Sequence, residues 1–101
     1  MTRVVVAPQA RTDLLEITAR LVVVAGPATA DKWDRKLWKA IDGLADFPGK
    51  GAPRPKLGRN IRMVTARPYI VICEHERGSG AVYVLRVIHG RRKITRAVVR
   101  K

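Results

Sequence analysis

Apolar residues recur along this chain in two rhythms, one helical and one extended. From Ala10 the apolar positions continue as Leu14, Ile17, Leu21 and Val24, steps of four and three that line one face of an α-helix. A second stretch repeats the pattern with Ala30, Trp33, Leu37, Ile41, Leu44 and Phe47. Between them Asp31, Lys32, Asp34, Arg35, Lys36 and Lys39 alternate in sign, as on a solvated helix surface. Pro8 suits the first helical turn, where its missing N–H costs nothing; Gly26-Pro27 separates the two stretches and Pro48-Gly49 ends the second. The spacing predicts a helical hairpin over 8–47. Trp33 falls in the middle of the second stripe and reads as core. Trp38 lies off it, at the helix–helix seam or partly exposed, where a tryptophan is a typical binding anchor.

The extended rhythm flanks this hairpin. Arg3-Val4-Val5-Val6-Ala7 is a β-branched run stopped by Pro8 and predicts a strand within 1–7. Residues 61–66, 69–76 and 81–89 give three more, with Arg67-Pro68 turning the first pair and Arg77-Gly78-Ser79-Gly80 the second. Ile70 and Ile72 alternate with Tyr69, Val71 and Cys73, so the middle strand is apolar on both faces and belongs inside a sheet. Residues 48–60, rich in Pro, Gly, Lys and Arg, read as a basic loop, and 90–101 as a basic tail. Hairpin-linked strands are antiparallel, and the helices must cover a sheet face to bury their stripes. The expected fold is therefore one α+β domain over 1–101: strand, helical hairpin, then a three-strand antiparallel meander over 61–89. The first strand joins an edge, and one sheet face stays open.

Charge is shared unevenly along this scaffold. Residues 1–50 carry 8 Lys and Arg against 6 Asp and Glu, residues 51–101 carry 13 against 2, and so +11 of the formal +13 lies in the second half. Like charges crowded together destabilise a compact state, so a cationic rim points to a polyanionic partner, nucleic acid or an acidic protein. With 47% hydrophobic residues the chain can bury a core, which argues against disorder. No apolar run approaches the ~20 residues of a membrane-spanning helix, and the start lacks the apolar stretch of a secretory signal, so no membrane association is expected and a cytoplasmic protein is. Cys73 stands alone in an apolar strand, which excludes an intrachain disulfide and reads as buried. One Cys and two distant His do not give metal-ligand spacing, so neither metal nor other cofactor is expected. Two Tyr, two Trp and one Phe are too few for the stacking platforms of single-strand binders, which leaves a plain nucleic-acid-binding module as a third reading.

Several short pieces then take on meaning as an ordered set: Pro8-Gln9-Ala10, Asp13-Leu14-Leu15-Glu16-Ile17, Gly26-Pro27 before an Ala-rich helix start, Leu44, Phe47-Pro48, Gly51, Arg62, Pro68-Tyr69-Ile70-Val71 and Val84 to Arg92. Across nearly the whole chain this set resembles the ParE branch of the RelE/ParE toxin superfamily. The resemblance implies a RelE/ParE-like fold and the toxin part of a type II toxin–antitoxin system. It implies a ParD-like antitoxin whose acidic C-terminal segment folds along the toxin, the two forming a hetero-oligomer. Trp38, Arg62, Tyr69 and Arg86 are the candidates for that contact.

The resemblance leaves two activities open. RelE-type members are similar to ribosome-dependent mRNA endonucleases, ParE-type members to inhibitors of DNA gyrase. RNA cleavage must move protons at the 2′-hydroxyl and the leaving oxygen as well as stabilise phosphate charge, and arginine does only the last because it does not deprotonate. RelE-type nucleases tend to carry an Arg after the tyrosine, where this chain has Ile70. They also carry a Tyr or His past the basic turn, where it has Ile94-Thr95-Arg96-Ala97-Val98-Val99. His89 is the catalytic candidate if the chain is a nuclease, a strand-end histidine bonding to backbone being the plainer account; His75, between Glu74 and Glu76, reads as surface. A gyrase inhibitor needs only a shaped surface, expected at Arg86, Arg91, Arg92, Lys93 and Arg96 with the tail to Lys101. After Arg92 the chain departs from many ParE relatives, with Lys93-Ile94 where an aromatic-proline ending is common.

Overall fold

The computed structural model describes residues 2–99. Strand β1 (Val4–Val6) leads into α1 (Pro8–Ala25) and α2 (Pro27–Asp42), which a 3-10 turn extends over Gly43–Ala45. Then come β2 (Ala52–Pro53), a second 3-10 turn at Pro55–Leu57, β3 (Ile61–Ala66), β4 (Tyr69–His75), β5 (Val82–His89) and a short α3 (Arg96–Val99). The strands form one sheet in the order β1-β5-β4-β3-β2. The β3–β4–β5 meander is antiparallel, while β1 runs parallel to β5 with Val4 opposite Val82 and Val6 opposite Val84. This is the α+β arrangement the two rhythms predict, with the first strand at an edge.

Gly26 alone makes the break between the helices. Its φ of +91° is open to glycine and strained for other residues. Its N–H closes α1 on the Val22 carbonyl and its own carbonyl accepts from Ala30, each at 3.1 Å. The hairpin thus folded lays Ala10 and Leu14 of α1 and Leu37 and Ile41 of α2, with Leu44, against Val64, Val71, Cys73, Val82, Val84 and Val87 of the sheet.

The helical stripes stop sooner than their spacing suggests. Val24 and Phe47 are each 67% exposed. The last turn of α1 has no sheet beneath it, and the 3-10 turn after Asp42 breaks the helical phase that would have brought Phe47 inward.

The second sheet face corrects an expectation: it is not left open. Ile61, Ile72 and Ile88 receive Val99, with Ile94 and Val98 from the tail and Leu57 from the second 3-10 turn packed around them. The segment 48–60 is also more than a loop, since Ala52 pairs with Met63 and Pro53 with Arg62 to add a fifth strand. Gly51 permits this at φ +100°, where a Cβ would stand 2.7 Å from the Met63 carbonyl oxygen. Met1, Arg100 and Lys101 lie outside the described residues, and with them the end of the expected basic tail. Among the described residues no helix is long and apolar enough to cross a membrane.

Candidate functional site

The cations that the sequence groups together are divided by the structure into three kinds. Arg86 is the correction. It is 3% exposed and cannot present its guanidinium to any partner. Its Nε donates to Asp13 Oδ2 at 2.7 Å and its Nη2 to Asp13 Oδ1 at 3.0 Å, a two-pronged pair inside the molecule. Nη1 donates to the Val98 carbonyl at 2.7 Å and so ties the tail to the sheet. Asp13, itself 6% exposed, also accepts the Val87 N–H at 2.9 Å. That amide sits on the β5 edge just past the point where β1 stops pairing, so the carboxylate stands in for the missing strand. The side-chain bond to Asp13 raises the Arg86 pKa, with burial opposing and the Asp13 and Glu16 charges assisting. Arg86 therefore serves the fold and drops out of both candidate surfaces.

Arg96 is exposed but engaged, its Nε donating to the Lys56 carbonyl at 2.7 Å across the two segments that cover the second sheet face. Arg91, Arg92 and Lys93 form the third kind: consecutive, exposed, and carried on one turn. That turn is held firmly. Gly90 N–H bonds the Pro68 carbonyl at 2.8 Å and Arg92 N–H the His89 carbonyl at 3.0 Å. Arg91 N–H donates to His89 Nδ1 at 3.0 Å. That bond fastens the ring to the turn it closes. His89 is a turn-forming residue, its ring edge-on to Tyr69 at 5.7 Å.

Beside this turn, α1 and the end of β5 enclose a cleft of about 660 Å³. Ile17, Leu21 and Val24 give it an apolar side, Tyr69 and Val87 its floor, and Arg20, Arg91 and Arg92 a cationic rim broken by Glu16. Burial raises the Tyr69 hydroxyl pKa and the nearby Arg20 charge partly offsets that. Neither Arg20 nor this cleft was visible as a site from the sequence; α1 shows them only once Leu21 to Val24 prove to overhang the sheet.

Of the other antitoxin candidates only Tyr69 borders this cleft. Tyr69 is largely core, ring edge against Trp33 at 5.5 Å. Trp38 is half-buried at the helix seam, with the Arg11 guanidinium 5.9 Å from its ring centre. Arg62 pairs with Cys73, four residues along β4 from Tyr69, which places it near the far end of the sheet. Cys73 is fully buried among the core residues.

Comparison with known proteins gives this geometry a context. The family model described as the ParE toxin of the type II toxin–antitoxin system parDE matches residues 4–94. Among solved structures, the chain is similar to a chromosomal ParDE toxin–antitoxin system from P. aeruginosa, with a TM-score of 0.74 and 25% identity over 88% of this chain and 96% of that one. It shares its fold with a chain of the toxin–antitoxin complex RelBE2 from Mycobacterium tuberculosis, with a TM-score of 0.64 and 20% identity over 87% of this chain and 96% of that one. No curated protein sequence matches it.

Proposed function

This chain belongs to the ParE toxin family of type II toxin–antitoxin systems, and from that footing we propose that it inhibits DNA gyrase through the Arg91–Lys93 turn and is silenced by a ParD-like antitoxin seated in the α1–β5 cleft. The observation that carries the reading is the junction of cleft and turn, because Arg91 and Arg92 belong to both. An acidic amphipathic segment can lay apolar side chains on Ile17, Leu21 and Val24 while its carboxylates meet Arg20, Arg91 and Arg92. Such a segment, disordered when free, orders as it binds. Occupying the cleft then covers two of the three cations the toxin would use, which makes neutralisation a matter of overlap. The occupied Nδ1 of His89 and the burial of Arg86 favour a docking surface over a proton-transferring nuclease centre.

The test is a supercoiling assay with purified gyrase. The chain should block supercoiling, and Arg91→Ala with Arg92→Ala should remove most of that inhibition while leaving the circular dichroism spectrum unchanged. Normal supercoiling at saturating toxin sinks the gyrase reading. New mRNA ends on stalled ribosomes would replace it with the endonuclease alternative.

A further inference from the structure

The end of the sheet opposite Arg91 and Arg92 holds a second hollow that the toxin reading does not use. Its volume is about 540 Å³, and Arg59, Arg62, His75 and Arg77 line it between walls that include Pro53 and Pro55. No carboxylate is among its lining residues. The four basic groups come from separate places: the turn before β3, β3 itself, the end of β4 and the hairpin behind it. Sheet register unites them. His75 N–H bonds the Asn60 carbonyl at 3.1 Å, and Arg62 pairs with Cys73, two residues before His75.

Gathering three guanidiniums around one hollow is repulsive. Arg62 relieves part of this by donating from Nη1 to the Gly51 carbonyl at 3.0 Å. Arg59 and Arg77 enter no ion pair, and the His75 ring makes no hydrogen bond, among the described residues. Asn60 holds φ at +63° in the same turn. The N–H groups of Arg59 and Asn60 have no hydrogen-bond partner among the described residues.

We propose that this hollow binds the phosphate groups of a small phosphorylated ligand. Guanidinium forks match phosphate oxygens two at a time. A phosphate group offers three terminal oxygens and close to two negative charges, enough to engage several of these donors at once, whereas a single carboxylate would leave most of them unmatched. The volume falls within the range of small-molecule sites. Nothing in this assignment depends on which macromolecule the toxin attacks.

Inorganic pyrophosphate is the probe, titrated into the full chain at ~150 mM salt to suppress diffuse attraction and followed by amide NMR. Saturable shifts are expected at residues 58–62 and 75–77. Arg59→Gln with Arg77→Gln should weaken binding by roughly tenfold or more. Arg91→Gln with Arg92→Gln removes the same charge from the other end and should change it by less than about twofold. Equal losses in the two double variants would reduce the effect to net charge and overturn the proposal. So would a polyglutamate peptide that saturates these amides when pyrophosphate does not.

Discussion

Asp13 answers two demands with one carboxylate: it pairs the Arg86 guanidinium and satisfies the strand-edge amide of Val87. Both side chains are buried, so removing one leaves the other as an uncompensated charge. Asp13→Ala should therefore destabilise the chain by about 3–5 kcal/mol, read as a fall in Tm well beyond 10 °C on the order-of-magnitude scale of about 4–8 °C per kcal/mol for a chain this size. A shift of a degree or two would mean that water reaches Arg86 and the pair carries little. Cys73 makes a prediction of a different kind. Burial pushes its thiol up to about 11 from an ordinary 9.0, with the Arg62 charge opposing. Between these values the unfolded chain has lost a proton that the native one keeps, so stability falls as pH rises from about 9 to 11, by at most about 1.4 kcal/mol per pH unit. Urea melts across that window should show a steeper decline for the native chain than for Cys73→Ala; identical slopes would place the thiol in contact with solvent.

At the scale of elements, the sequence is most informative where a pattern is long and local. The two helical stripes and the alternation through 61–89 mark α1, α2 and the meander almost to their ends, because burial on one face writes itself into the period. It is least informative where contacts are brief or distant. β2 has two residues, one of them proline, and α3 has four, both too short for a period to register. Ile94, Val98 and Val99 are plainly apolar, yet nothing in their spacing says that they cover Ile61, Ile72 and Ile88. Arg86 was misplaced for a related reason. The ladder slips between Ile72 and Cys73, so Ile72 faces Arg86 while Cys73 faces Val84, and strict alternation along β5 fails at Leu85. A signal was present all the same: Asp13 sits beside Leu14 within the apolar stripe from Ala10 to Ile17, and an acid in such a place asks for a buried partner. The Arg59–Arg62–His75–Arg77 hollow had no local signal, since only sheet register assembles it.

Over the whole molecule, the uneven charge resolves into two cationic ends of one sheet, separated by the length of β4, about 20 Å at ~3.3 Å per residue. The formal +13 is self-repelling. Among the described residues, Asp13 is committed to Arg86 inside, and the exposed Asp31–Arg35 pair is a local helix contact. Salt should therefore act with opposite signs on the two states of this toxin. For the isolated chain, raising NaCl from about 20 to about 300 mM shortens the screening length from roughly 20 to 6 Å, weakens repulsion within each end, and should raise Tm by several degrees. For the proposed complex with an acidic antitoxin segment in the cleft, the same screening weakens attraction to the cleft's arginines, so affinity should fall. Because a ligand that binds only the native state adds stability as the logarithm of one plus the ratio of its concentration to its Kd, the Tm gap between bound and free toxin should narrow as salt rises. A free-chain Tm that falls or stays level with salt would show that the cations are already balanced within the fold, and the reason for an acidic partner would go with it.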